Sequence, residues 1–295
     1  MRPVAAKNVE RRIKMKRIKV IKFLAAAVVI FIVAAPVYML VCSSVMAEDE
    51  LALCYGSVIG DKEGLVKVSL LPAYPTIHWF KTLFLDTPEF FVMFWNSCLY
   101  TAGILTGQVL AGTPAAWAFA KWKSKKKKVL FGIYIVLMVM PFQVLMVSEY
   151  LVLHKLSLLD TPWAVILPGA FATLPIFIMA RFFQTIPDSL LEAARIDGAS
   201  ELTIFLKIGI PLGKAGILSI IVIGFIEYWN AIEAPLTFLT NKALWTLSLY
   251  IPKINQQQAG NALAASVVML KPAVLVFLAG RDYLEEGIAQ SGLKG

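Results

Sequence analysis

Little in this chain belongs to metal or nucleophile chemistry. Of its 295 residues only two are histidine and three are cysteine. Cys42, Cys54 and Cys98 form no CxxC pair, and His78 and His154 do not complete a ligand set with them, so no zinc motif is present and no metal site is expected. No GxxxxGK[ST] phosphate loop occurs; the nearest string, Leu212-Gly213-Lys214-Ala215, lacks both the first glycine and the hydroxyl residue. Nor is there a nucleophile elbow. Such a chain does not hydrolyse ATP alone, and no catalytic residues are expected. Charge is scarce as well: 16% of residues are charged against 59% hydrophobic, with a mean hydropathy of +0.73. That balance excludes an ordinary soluble domain and indicates an all-α integral membrane protein.

The net charge of +9 raises nucleic acid as a partner, but the basic residues sit at the edges of apolar runs. Six spans are expected: Phe23 to Met46, Phe91 to Ala120, Val129 to Met146, Trp163 to Phe183, Ala215 to Leu239 and Ala259 to Gly280. The first exceeds the length of a signal-peptide core; Val45-Met46-Ala47 resembles a cleavage site only faintly, so an anchored helix is expected. Between the first two spans, Glu48 to Phe90 is mixed and proline-dotted and reads as an ordered loop outside the membrane. In the second span Gly103-Ile-Leu-Thr-Gly107 has GxxxG spacing, which serves either packing within one bundle or dimerisation. Basic residues number nine in the N-terminal tail, six in the Lys121 to Lys128 turn, four around the stretch after the fourth span and two in the C-terminal tail, against six on the opposite face. The positive-inside rule then puts both termini in the cytosol, with the lysine turn against anionic lipid. Three regions follow: a basic tail over 1–22, a six-helix domain over 23–280 that includes a cytosolic loop at 187–212, and a tail over 281–295.

That loop is the longest soluble-looking stretch. Ser189-Leu-Leu-Glu192 fits a capping box and predicts a short helix. Gly198 after Asp197 is a helix stop. Ser200 caps a second helix, with Leu202, Phe205, Leu206 and Gly209 on one face, until Pro211 breaks it. Physics alone leaves two readings of this helix pair: an arm for a cytosolic partner, or an interfacial pair lying on the headgroups.

The residues carry a family resemblance. Glu192-Ala193-Ala194, Gly198, then Ile208, Ile210 and Pro211 resemble the EAA loop of ABC importer permeases, with Ile210 standing where the pattern has leucine. Asn96, Ala118 to Ala120, Pro141-Phe-Gln143, Tyr228-Trp229-Asn230, Pro235-Leu236 and the Gly292 to Gly295 ending resemble the carbohydrate-uptake branch, of maltose type. The resemblance implies a type I ABC importer permease fold of six helices whose EAA loop is a coupling helix. It also implies that a separate cytosolic ATPase binds the ATP, that an extracellular solute-binding protein delivers a sugar or oligosaccharide, and that a second permease completes a heterodimer. Glu192, Ala193, Ala194, Asp197, Gly198 and Pro211 are the implied ATPase-coupling residues.

Charges within spans are expensive, so Glu227 and Lys271 are functional candidates. They are expected either to pair or to face a polar cavity or partner separately. Tyr228, Trp229, Asn230 and Glu233 are candidate sugar contacts, although Trp and Tyr near a span end also serve as interfacial anchors. Lys271, Ser148 and Glu149 depart from the family pattern. The alternative function is an ion-coupled secondary transporter using Glu227 and Lys271.

Overall fold

A computed structural model describes residues 2–59, 69–122, 124–250 and 259–292. Its described elements are helical: α1 (Arg2–Ser43), α2 (Glu48–Ile59), α3 (His78–Lys81), α4 (Pro88–Gly107), α5 (Thr113–Lys121), α6 (Lys125–Val139), α7 (Phe142–Lys155), α8 (Pro162–Ala170), α9 (Thr173–Gln184), α10 (Asp188–Ile196), α11 (Glu201–Ile204), α12 (Ile210–Leu212), α13 (Lys214–Trp229), α14 (Glu233–Phe238) and α15 (Ala259–Gly292). Among the described residues four stretches are long and apolar enough to cross a membrane unbroken: Lys19–Ser43, Pro88–Lys121, Pro162–Gln184 and Ala259–Glu285. Two helix pairs pass the same length and apolarity test only when joined, Lys126–Val139 with Phe142–Lys155 bent by 107° and Glu201–Leu212 with Lys214–Trp229 bent by 66°. Counting each bent pair as one span gives six.

The bends correct the expected boundaries. The third span does not run to Met146 as one helix. Pro141 has no amide to donate and forces Met140 into extended backbone (ψ 127°), so α6 stops and α7 restarts at a new angle. The fifth span ends at Trp229, ten residues short of Leu239, and α14 follows as a separate short helix. The first span is continuous with the basic tail in α1, and the last runs on past Gly280 to Gly292. The expected outer loop up to Gln258 falls partly outside the described residues, as do Lys123 and residues 293–295.

The chain divides into two compact units. The first holds residues 1–83 and 254–267. Its centre is the turn after α1: the Trp79 indole donates to Met46 O at 2.8 Å, Thr76 N donates to Val45 O at 2.7 Å, and the Glu50 carboxylate accepts from Ala73 N and Tyr74 N at 2.8 and 3.3 Å. A buried carboxylate that takes two backbone amides organises the loop around itself.

The second unit holds residues 84–253 and 268–295. Here α4 and α5 lie along α8 and α9, with α13 packed on both. A Cβ placed on Gly107 would fall 2.5 Å from the Ala170 Cβ, and one on Gly103 would fall 3.0 Å from Ile166 Cδ1. The GxxxG pair is therefore consumed inside the chain, where the α4 backbone closes on α8. One apolar core gathers Ala116, Met179, Phe183, Leu191, Ile204 and Ile220, and a second gathers Tyr100, Ile104, Leu153, Ile166 and Phe238. Beside the second core, the 240–249 loop is fixed to α4: Asn96 Nδ2 donates to Ala243 O and Trp245 O, Tyr100 Oη donates to Leu244 O, and Leu247 N donates to Ser97 Oγ, all within 2.8–3.0 Å.

Gly107→Leu is expected to cost about 1–3 kcal/mol by overpacking. The solubilised protein should show a lowered thermal midpoint, whereas Gly132→Leu, where nothing lies within 4 Å of the added Cβ, should not.

Candidate functional site

Two features of the second unit carry the expected site residues. The first is the α10–α12 arm. Its first helix begins at Asp188, with Pro187 in the cap position two residues before the expected cap Ser189 and no capping side chain. Ser189 thus lies inside the first turn, and the capping box with Glu192 does not form. Instead, Lys121 Nζ at the end of α5 donates to Asp188 Oδ1 at 3.0 Å and to Ile186 O, which ties the helix start to the second span. Leu191 is buried, whereas Glu192, Ala193, Ile196, Asp197 and Gly198 face outward.

The helix ends as Gly198 predicts. Its φ is +82°, in the left-handed region that side chains disfavour, and Asp197 is the last residue before it. Ala199 N donates to Ala194 O and Gly198 N to Arg195 O, both at 3.0 Å, the paired bonds of a Schellman ending. Across this turn Arg195 grips Glu201 through Nε to Oε1 at 2.6 Å and Nη2 to Oε2 at 3.2 Å. The guanidinium bond holds the Glu201 carboxyl below its ordinary value of 4.5. The pair's contribution is therefore present above that value and is lost as pH falls through the lower folded value; being exposed, it is small.

Ser200 Oγ accepts from Thr203 N at 3.2 Å, as expected for the second cap. The buried face of the second helix matches the expected stripe in part: Gly209 goes inward and Phe205 is half-buried, but Ile204 is buried while Leu202 and Leu206 stay exposed. Phe205 to Gly209 form a π turn, which shifts the phase and accommodates Pro211 within the helix. The break comes at Gly213 instead. Trp117 anchors the arm, edge-on to Phe183 at 5.3 Å and tilted against Phe205 at 5.7 Å.

The second feature is a cavity of about 630 Å³. Three helix interruptions meet on its wall: Met140 between α6 and α7, Phe171 and Ala172 between α8 and α9, and Asn230 to Ile232 between α13 and α14. Glu149, Glu227, Tyr228, Asn230 and Glu233 supply polar groups. Gln143 Nε2 donates to Glu233 Oε1 at 2.6 Å, and Gln108 Nε2 reaches Gly169 O at 2.8 Å and Tyr228 Oη at 3.2 Å behind the wall.

Four of the six expected pathway residues, Glu227, Tyr228, Asn230 and Glu233, thus share one wall. Trp229 does not. It is 1% exposed, its indole donates to Met269 O at 3.0 Å, and its ring stacks on Phe225, which leaves no face for a ligand. Glu227 precedes Trp229 by two residues, about 200° around the helix, so it points away from α15, where Lys271 lies. Among the described residues Glu227 and Lys271 form no ion pair, and Lys271 does not line the cavity. In the sequence Glu149 stands out only as a departure from the family pattern after the third span; its place on this wall was not legible, because its partners there come from helices distant in the chain.

The model of the binding-protein-dependent transport system inner membrane component family matches residues 108–290, which include the arm and the whole cavity wall. The chain belongs to this family. Among similar permeases are the arabinooligosaccharides transport system permease protein AraQ of Halalkalibacterium halodurans, 28% identical over 76% of this chain and 81% of that one, and the sn-glycerol-3-phosphate transport system permease protein UgpE of Salmonella choleraesuis, 28% identical over 76% and 83%. A crystal structure of a bacterial ABC transporter involved in import of the acidic polysaccharide alginate shares the fold, with a TM-score of 0.76 at 22% identity over 91% of this permease and 96% of that chain. The type I ABC importer permease fold expected from the EAA pattern is the fold found.

In this permease Gly198→Ala should strain the turn by about 1–2 kcal/mol. Hydrogen exchange at the Ala199 amide should accelerate about tenfold, and Gly198→Asn should be milder.

Proposed function

We propose that this permease is the membrane-spanning subunit of an ATP-driven importer that passes a sugar or oligosaccharide through the cavity by alternating access. The observation that carries the reading is the arm. A helix whose exposed face presents Glu192, Ala193, Asp197 and an Ile196 that is 86% exposed, closed by a tight glycine turn, suits insertion into a cleft of a cytosolic ATPase. Exposed apolar side chains on a polar arm mark a contact surface. Ala193 and Ala194 permit close approach, Glu192 offers a polar contact, and Pro211 and Gly213 set the angle at which the arm joins α13.

The arm is also connected to the cavity. From Lys214 the chain runs as one α-helix to Trp229, a lever of about 24 Å at 1.5 Å per residue. Its far end bears Glu227 and Tyr228. Motion of an ATPase gripping the arm is thereby delivered to the cavity wall, with the Lys121 contacts and Trp117 moving α5 along with it. The site needs no chemistry of its own for this; ATP is bound and hydrolysed by the partner. The family's dependence on a binding protein supports delivery from an extracellular solute-binding protein, and the excess of lysine and arginine on the arm's face supports cytosolic termini. A second permease, as a heterodimer, supplies the other arm for the other ATPase site, and the lysine turn lies against anionic lipid.

Glu192→Arg and Gly198→Pro should abolish co-purification with the ATPase and ATP-dependent uptake in proteoliposomes while leaving membrane insertion intact. Uptake that continues without any ATPase and follows an ion gradient would replace this reading with an ion-coupled transporter.

A further inference from the structure

The pathway reading leaves the chemical class of the solute open, and the cavity wall speaks to it. Three carboxylates line it, from Glu149, Glu227 and Glu233, and no lysine or arginine does. These carboxylates do not converge on a metal: among the described residues no three His, Cys, Asp or Glu side chains are grouped to hold one. At about 630 Å³ the space has the size of a small-molecule site rather than an ion site.

A second observation points the same way. Glu149, which lines the cavity, has its Oε2 buried with no hydrogen-bond partner. That orphan is an acceptor when the carboxylate is ionised. A buried acceptor without a donor is costly, and a solute bringing hydroxyl or ammonium hydrogens removes that cost, whereas a carboxylate or phosphate adds more acceptors.

We propose that the cavity admits saccharides that are neutral or amino-bearing and excludes anionic ones, with Glu149, Glu227 and Glu233 as the residues that set this preference. The proposal rests on the cavity being the solute pathway. One ionised carboxylate about 10 Å from a ligand charge, at an effective dielectric near 20, already changes binding roughly tenfold. Related proteins are described as handling sn-glycerol-3-phosphate and the acidic polysaccharide alginate; both of those solutes are anionic, and this wall is built against them.

The test uses the assembled transporter without its binding protein, titrated calorimetrically with three tetrasaccharide probes: fully deacetylated chitotetraose, maltotetraose and tetragalacturonate. Chitotetraose is expected to bind at least tenfold more tightly than tetragalacturonate, with maltotetraose between them and the gap narrowing at high salt. Glu227→Gln alone should narrow the gap, and Glu149→Gln, Glu227→Gln and Glu233→Gln together should close it. Equal or tighter binding of tetragalacturonate, or a gap unmoved by Glu227→Gln, overturns the charge preference and leaves the pathway standing. Failure of all three probes to bind the wild-type transporter overturns the pathway reading and the preference with it.

Discussion

A backbone amide or carbonyl left unbonded in hydrocarbon costs several kcal/mol, so a helix that breaks inside a membrane must break against protein or water. This constraint organises the second unit of the chain. Three of its helical stretches are interrupted, at Met140 and Pro141, at Phe171 and Ala172, and at Asn230 to Ile232, and all three interruptions open onto one cavity. The amides of Met140, Phe171 and Ala231 are bonded back to Leu137, Leu167 and Tyr228, and the shared cavity keeps the three breaks against protein. Around it the packing is close: Gly103 and Gly107 let α4 press on α8, and the 240–249 loop is held to α4 by Asn96, Ser97 and Tyr100. On the loop's other side Asp160, with φ at +59°, accepts from Thr240 N and Asn241 N at 2.9 and 2.8 Å. These amide bonds pull its carboxyl below the ordinary carboxylate value, so the clasp stays ionised and closed at neutral pH.

The arm solves a different problem. Its shape is fixed by buried contacts while apolar side chains such as Ile196 stay exposed. Buried Leu191 and Ile204 root its inner face in the core, Lys121 fixes its start, and the Schellman turn at Gly198 fixes its end. None of these depends on the exposed residues Glu192, Ala193 and Ile196. Under the proposed coupling role, recognition and shape are carried by different side chains, so substitutions on the outer face are expected to uncouple without unfolding.

Much of this was legible in the sequence, for local reasons. Span count follows from apolar length, the Gly198 stop from the conformational freedom of glycine, the Ser200 cap from its hydroxyl, and the arm's identity from the spacing between Glu192 and Pro211. What failed was longer in range. The capping box gave way because Lys121, 67 residues earlier, claims Asp188. The helix break expected at Pro211 moved to Gly213 because a π turn absorbs the proline. The third span looked continuous because Pro141 sits inside an apolar run, yet its ring bends the span by more than a right angle. Within the wall, a rule about intramembrane charge singled out Glu227 but also Lys271, and only the phase of α13 relative to Trp229 separates them.

The central claim is that arm and cavity wall form one rigid lever through α13. Distances between spin labels, with the native Cys42, Cys54 and Cys98 replaced, test it most directly in the assembled transporter. One pair joins Asp197 to Ile232 along the lever; the other joins Met138 to Ile232 across the cavity. Between nucleotide-free and ATP-bound states, the account predicts a constant distance along the lever and a changed distance across the cavity. A lever that bends while the cavity distance stays fixed would contradict it.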